Sequence, residues 1–271
     1  PADEAVVVRE LTDFPHAVRE TPAVWIGVGG GASRNAPARA PARLAARLWT
    51  PADKAGAAAP AAPARAPCVI EELPYRQSDG TRELDGMTFP WLAGHGFACL
   101  RVDARGFGDS LEAERAPHET SKREMVEEYS AAQIADLADV VLWAAAQPWC
   151  DGDVFVMGCS WGGIAALALA ARFGAGSRAP LAPLRGVIAV CATDDIYEDD
   201  MHFVGGVPLL DQLPWAARFA AMATLPPAPI VPADRAAMRV LPARKFALMG
   251  LLDSLGTFLT AMGAVFTPGV F

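Results

Sequence analysis

A glycine-flanked serine follows an apolar run in the middle of the chain. In "VMGCSWGG", residues 156–163, Gly158, Ser160 and Gly162 fit the G-x-S-x-G pattern of a nucleophile elbow. In an elbow, a strand turns so sharply into a helix that the serine hydroxyl stands above the sheet. Glycine is needed at both flanking positions because a side chain there would collide with the neighbouring strand or helix. The spacing therefore predicts that Ser160 is a nucleophile and not an ordinary turn serine.

The segments on either side of Ser160 supply the strand and the helix that an elbow requires. Residues 153–157, "DVFVM", form a short apolar run of the kind that fills the middle of a parallel sheet. Residues 161–173, "WGGIAALALAARF", are rich in alanine and leucine, which favour a helix. We therefore expect a strand, a sharp turn at Ser160 and a helix that begins near Trp161.

Strand and helix patterns alternate along most of the chain. A helix is predicted within residues 129–148, where Ser130 and Gln133 have capping-box spacing and Pro148 ends the pattern. The other predicted strands are residues 16–28, 42–50, 68–73, 97–103 and 184–191. This order indicates an α/β fold that starts with antiparallel strands and continues as a mostly parallel sheet with flanking helices.

Composition bounds the size of the fold and the class of ligand. The chain has 271 residues, of which 52% are hydrophobic, enough for one domain or slightly more around a large core. Its net charge is −8 and it has no cluster of Lys and Arg, so nucleic acid is disfavoured and we expect a small molecule or a peptide as the partner. Residues 29–41 and 55–67 are rich in glycine, alanine and proline, which predicts exposed loops.

Cysteines are scattered along the chain without the spacing of metal ligands or of a disulfide framework. They are Cys68, Cys99, Cys150, Cys159 and Cys191. We predict that they are small core residues, and we expect no metal and no cofactor. The chain begins with neither an initiator methionine nor a charged and then apolar leader, so the cytoplasm is the default expectation for its location.

Four collinear segments carry a family resemblance. They are "ELPYR" (72–76), "RVDARGFGDS" (101–110), "QPWCDGDVFVMGCSWGG" (147–163) and "CATDDIYEDDMHFVGG" (191–206). From about Arg43 to Trp215 the chain resembles the X-Pro dipeptidyl-peptidase and cocaine-esterase-like hydrolases, also called CocE/NonD. The resemblance implies an α/β-hydrolase core over residues 1–200, and a partial helical cap with a divergent tail over residues 201–271. It also implies a C-terminal jelly-roll domain, for which no strands follow here.

The resemblance implies chemical roles for three residues. Ser160 would attack the carbonyl carbon of an ester, or of an amide after proline, and carry the acyl group. The backbone N–H of Trp161 and the phenol of Tyr75 would donate hydrogen bonds to the oxyanion. Three charged residues of the second segment are predicted to hold the loop after the strand and to take no part in the chemistry: Asp103, Arg105 and Asp109.

The general base does not match the family pattern. In the resembling family an acid and a histidine follow the cap, and neither is found here. We therefore expect a truncated chain that hydrolyses activated esters slowly or not at all. His202 is the single histidine after Ser160, and an alternative triad of Ser160, Asp194 and His202 keeps the residue order of this fold. The weaker candidates are His16, His95 and His118.

The C-terminal part leaves two classes of function open. The last stretch is apolar but contains Asp253, which disfavours a membrane helix. One class is a serine hydrolase with an ester or peptide substrate. The other is a non-catalytic protein of the same fold that binds a ligand or a partner in the same pocket. Apolar surface that complete members cover with further domains is expected to drive self-association.

Overall fold

A six-stranded sheet with helices packed against it forms the described part of the chain. The computed structural model describes residues 14–29, 39, 41–54, 64–78, 80–110, 128–210 and 212–217. The main strands are β1 (Ala17–Val28), β2 (Ala42–Ala52), β3 (Ala66–Leu73), β4 (Ala98–Asp103), β5 (Cys150–Cys159) and β6 (Leu184–Val190). The helices are α1 (Arg82–Gly94), α2 (Ala131–Ala145) and α3 (Trp161–Phe173). A short hairpin follows, made of β7 (Phe203–Val204) and β8 (Val207–Pro208).

The strand order is β1-β2-β4-β3-β5-β6. The pairs β1–β2 and β2–β4 are antiparallel, whereas β3 pairs in parallel with β4 and β5, and β5 pairs in parallel with β6. The carboxyl ends of four neighbouring strands therefore meet at one edge of the sheet. This arrangement confirms the predicted α/β fold, including its antiparallel start.

Helix α2 packs on the centre of the sheet as its apolar spacing predicts. Ile134, Leu137 and Val141 are buried in the main core, together with residues of β3, β4 and β5. The Oγ of Ser130 caps the helix by accepting a hydrogen bond from the backbone N–H of Gln133, at 3.3 Å. The Gln133 side chain makes no return bond within the described residues, so half of the predicted capping box forms.

No sequence pattern predicts helix α1, because Gly86 and Pro90 lie inside it. Proline in a helix interior costs about 3 kcal/mol relative to alanine, and glycine costs about 1 kcal/mol. Packing offsets this cost, because Phe89 stacks on Trp49 with ring centroids 5.0 Å apart and Ala93 is buried in the same cluster. Tertiary contacts therefore override local propensity in α1.

The five cysteines divide into two groups. Cys68, Cys99 and Cys150 are buried, which confirms the prediction for them. The prediction is wrong for Cys159 and Cys191, which are exposed. Cys159 ends β5 and Cys191 directly follows β6, so both lie where the chain leaves the carboxyl edge of the sheet.

Some expectations fall on residues that the structure does not describe. They concern most of the two loops, His118 and the tail after residue 217 with Asp253. None of the helices in the described part of the chain combines the length and the hydropathy of a membrane-spanning segment.

The N-cap of α2 gives a test of the fold. Replacing Ser130 with alanine removes the Oγ acceptor for the Gln133 N–H, and we expect the free energy of unfolding to fall by about 1 kcal/mol. Urea denaturation measures the change. Ser130→Asp, which keeps an acceptor, should remain close to the parent. Equal losses in both variants would contradict the capping role.

Candidate active site

Ser160 occupies a sharp turn between β5 and α3. Its backbone has φ +55° and ψ −117°, a conformation that is strained for a residue with a side chain. The Ser160 N–H donates to the carbonyl oxygen of Val190 at 2.8 Å, and its own carbonyl accepts from the Ile164 N–H at 3.0 Å. Bonds to β6 and to α3 therefore hold the serine in this conformation.

Three glycines let the strand, the helix and the next strand approach each other around Ser160. A Cβ on Gly158 would lie 2.6 Å from the Cα of Gly162. A Cβ on Gly162 would lie 2.8 Å from Cδ2 of Leu73, and one on Gly163 would lie 2.7 Å from the Cβ of Ala192. A Cβ on Gly158 would overlap backbone that cannot move aside, so glycine is a steric requirement of the turn at this position, whereas at Gly162 the Leu73 side chain would have to shift.

A small cavity opens at Ser160. It is lined by Tyr75, Glu128, Tyr129, Ser160, Trp161, Ile164, Asp200, Met201, His202 and Trp215. The fold therefore brings Ser160, Tyr75, Trp161 and His202 together, although 127 positions separate Tyr75 from His202 in the numbering of the chain. Asp194 is exposed and does not line the cavity, so the alternative triad is not brought together.

Aromatic rings form much of the wall around the serine. The ring of Tyr129 stacks on Trp161, with centroids 5.0 Å apart, and Tyr129 itself has a positive φ of 56°. The ring of Tyr75 meets Trp215 edge-on at 5.6 Å. The first pair connects the segment before α2 to the elbow, and the second connects the segment after β8 to the turn that carries Tyr75. The cavity therefore depends on parts of the chain that are distant in sequence.

Two hydrogen-bond donors in the cavity suit a developing oxyanion. The Trp161 N–H belongs to the first residue of α3, where helix N–H groups lack acceptors within the helix and the helix dipole favours negative charge. Burial, followed by the negative charge of Glu128, raises the pKa of the Tyr75 phenol. The phenol therefore keeps its proton at neutral pH and remains a donor.

The chain after β6 folds back over Ser160 and brings His202 to the cavity. The His202 N–H donates to Oδ2 of Asp200 at 3.1 Å, and the His202 carbonyl accepts from the Leu209 N–H at 2.9 Å. Gly205 and Gly206 have φ values of +55° and +72°, and they make the tight turn of the β7–β8 hairpin. These bonds and this turn fold the segment compactly, so His202 reaches the cavity although few residues separate it from the end of β6.

Glu128 is a cavity residue that sequence reasoning missed. Burial raises the pKa of this carboxyl to about 7, and the negative charge of Asp200 contributes in the same direction. Near neutral pH, Glu128 can therefore hold or release a proton beside Ser160. The only local sequence signal was a pair of glutamates directly before Tyr129, which looks like an ordinary solvated helix start.

The charged residues at the end of β4 and directly after it hold loops, as predicted. Asp103 accepts from the backbone N–H groups of Gln77 and Asp109, at 3.1 and 2.8 Å. The Arg105 guanidinium pairs with the buried Asp136 on α2. Neither Asp103 nor Arg105 lines the cavity.

The remaining candidates lie away from the cavity. His95 follows α1, and its Nδ1 lies 2.7 Å from the carbonyl oxygen of Trp91. The backbone N–H of His16 donates to the carbonyl of Gly94, near the same end of α1. Among the described residues, no group of three or more His, Cys, Asp or Glu side chains is arranged to hold a metal ion.

Most of the chain, including Ser160, matches a known protein family. The family model of the X-Pro dipeptidyl-peptidases (S15 family) matches residues 41–254. The chain belongs to the X-Pro dipeptidyl-peptidase (S15) family. The match continues well beyond Trp215, so the expectation that the family likeness fades there is corrected. Membership of this family indicates a serine hydrolase, and the glycine-flanked Ser160 lies within the matched residues.

The chain is also similar to individual proteins. Two proteins provisionally named serine esterases, from Mycobacterium bovis and Mycobacterium tuberculosis, are each 34% identical over 113 residues, or 41% of this chain. The matched segment spans only 15% of the length of each relative. A CocE/NonD family hydrolase from Staphylococcus aureus, known from a crystal structure, is 16% identical, with a TM-score of 0.52 over 89% of this chain and 42% of that chain. This likeness shows the fold.

The contact between Gly158 and Gly162 can be tested by adding one methyl group. We expect Gly158→Ala to lower the free energy of unfolding by about 1–3 kcal/mol or more, because the new Cβ overlaps the backbone of α3. Gly176→Ala is the matched control, since nothing lies within 4 Å of a Cβ at that position. Urea denaturation compares the two variants. Equal stability would contradict the close approach.

Glu128 predicts a pH dependence of stability. The folded protein keeps Glu128 protonated at pH values where the unfolded chain has released the proton. Its contribution to the free energy of unfolding should therefore fall as the pH rises from about 4.5 to about 7. Glu128→Gln should flatten this part of the stability profile, whereas replacement of the exposed Glu83 with Gln should not. A Glu128→Gln profile parallel to that of the parent would contradict the raised pKa.

Proposed function

We propose that the protein is a serine hydrolase that cleaves an ester, or an amide after proline, through an acyl-enzyme at Ser160. The observation that carries the proposal is the position of Ser160 in a strained elbow, beside a cavity that Tyr75 and Trp161 also line. The finer assignment to X-Pro amides rests on the family alone. Because the chain spans a small part of its curated relatives, the activity is proposed for this chain and tested on it.

The proposed reaction needs the residues of the cavity and a water molecule. Ser160 Oγ attacks the carbonyl carbon while its proton passes to a base, and the carbonyl oxygen becomes an oxyanion. The Trp161 N–H and the Tyr75 phenol stabilise this charge. The oxyanion then collapses, the bond to the leaving group breaks, and the leaving group takes the proton. Water attacks the acyl-enzyme in the same way and releases the acid.

His202 is the base in this proposal. Its support is its place in the same cavity as Ser160, with its backbone N–H bonded to the carboxylate of Asp200. An imidazole that accepts the serine proton at neutral pH is the usual activator of this nucleophile. In this proposal the carboxylate of Asp200, which lines the same cavity, stabilises the imidazolium that forms.

A fluorophosphonate probe tests the proposal, because it labels a serine that is activated by a nearby base. The folded parent should be labelled at Ser160, and Ser160→Ala should abolish the labelling. Tyr75→Phe should slow it by about 100- to 1,000-fold, the usual effect of losing one oxyanion donor. His202→Gln should slow it by at least about 1,000-fold, since a serine that loses its base is a poor nucleophile.

Two control variants separate these effects from general damage. Ser177→Ala and His95→Gln change residues outside the cavity and should be labelled at the parental rate. Parental labelling of His202→Gln would remove His202 from the mechanism and show that another group activates Ser160. A folded parent that is not labelled would contradict the hydrolase proposal and favour a non-catalytic binding protein.

A further inference from the structure

The Arg101 side chain is fully buried and connects three segments behind the cavity. Its Nη2 donates to the backbone carbonyl oxygen of Tyr75 and to Oγ1 of Thr81, the latter at 3.1 Å. Its Nη1 donates to the Val102 carbonyl at 2.5 Å and pairs with Asp103 at 3.3 Å. One guanidinium therefore joins β4 to the turn that carries Tyr75 and to the start of α1.

The Tyr75 turn has little regular structure of its own. Tyr75 lies between the end of β3 at Leu73 and the start of α1 at Arg82. The turn is anchored on one side by the bond from the Ala104 N–H to the Leu73 carbonyl, at 3.0 Å. At Tyr75 itself, the backbone carbonyl is bonded to Arg101. A shift of this carbonyl would move the phenol relative to Ser160.

We propose that Arg101 is a positioning residue, which holds the Tyr75 backbone so that the phenol reaches the oxyanion over Ser160. The proposal rests on the proposed function, since it needs Tyr75 to be an oxyanion donor. Two observations support the proposal. The guanidinium bonds to the Tyr75 carbonyl, and it is completely buried, so water cannot replace that bond. Displacement of a catalytic group by about 1 Å can cost 100-fold in rate, so a single backbone bond is enough to matter.

The charge of Arg101 acts in the same direction as its hydrogen bonds. It lowers the pKa of the Tyr75 phenol, against the larger effect of burial. A lower pKa makes the phenol a stronger hydrogen-bond donor to an oxyanion. Asp103 and Asp85 lie 3.3 and 3.6 Å from the guanidinium and balance its charge inside the protein.

Arg47 provides a matched control. It is also buried, it contacts the same Asp85 at 3.8 Å, and it pairs with Glu20 at 2.8 Å. Its backbone contact is the carbonyl of Gln77, two residues beyond Tyr75. Arg47→Lys therefore disturbs the same buried ion-pair network without touching the bond to the Tyr75 carbonyl.

A double-mutant cycle on fluorophosphonate labelling tests the proposal. Arg101→Lys keeps the charge but loses the fork that reaches the Tyr75 carbonyl, and we expect labelling of Ser160 to slow by about tenfold. In the Tyr75→Phe background, Arg101→Lys should have no further effect, because the phenol that it positions is gone. Arg47→Lys should be labelled at the parental rate. Melting temperatures of all variants show how much of the change is loss of folded protein.

Thr81→Val gives a second, milder variant in case Arg101→Lys does not fold. It removes the hydroxyl that binds the same guanidinium nitrogen as the Tyr75 carbonyl, and it should slow labelling about two- to fivefold in the parent and not in Tyr75→Phe. Equal slowing in both backgrounds, or equal slowing by Arg47→Lys, would overturn the inference and leave the hydrolase proposal intact. A folded parent without Ser160-dependent labelling would overturn both.

Discussion

The close contact between the end of β5 and the start of α3 is the constraint on which the site depends. The backbones of Gly158 and Gly162 lie in contact, so the chain must reverse sharply at Ser160. Ser160 makes this turn with a positive φ. The strain, of order 1–3 kcal/mol for such a conformation, is offset by the bonds to Val190 and Ile164. The same contact puts Ser160 directly before the first residue of α3, and both residues line the cavity.

The parallel strands then decide what meets the serine. Their carboxyl ends share one edge, where ligands bind in open α/β sheets. The turn after β3 brings Tyr75, the elbow after β5 brings Ser160, and the return loop after β6 brings His202. Buried ion pairs hold the loops at this edge, with Arg105 on Asp136 and Arg101 on Asp103. Such pairs contribute less to net stability than to a defined geometry, because desolvation opposes their attraction.

The electrostatics of the cavity follow from its burial. Low exposure raises the pKa of Glu128, Tyr75 and Tyr129, so these groups hold protons that exposed side chains of the same type release more readily. A wall of protonated phenols and one carboxyl near its pKa suits a reaction that creates negative charge on an oxygen. It also explains why the segment before α2, which carries Glu128 and Tyr129, matters to a serine that lies more than thirty positions later.

The sequence alone determined the local elements of this protein. The spacing of Gly158, Ser160 and Gly162 predicts the elbow, because the steric demand of a tight turn is met by neighbouring residues. Short apolar runs predict the six strands of the sheet, helical periodicity predicts α2, and a composition rich in alanine and leucine predicts α3. Only the tertiary structure decided that α1 forms, because the packing of Phe89 overrides the helix-breaking effect of Pro90. It also decided that Cys159 and Cys191 are exposed. It also decided that His202, Glu128 and Asp200 meet at Ser160. Their convergence depends on strand order and on the return of the chain after β6, and residue spacing along one segment carries no information about contacts between distant segments.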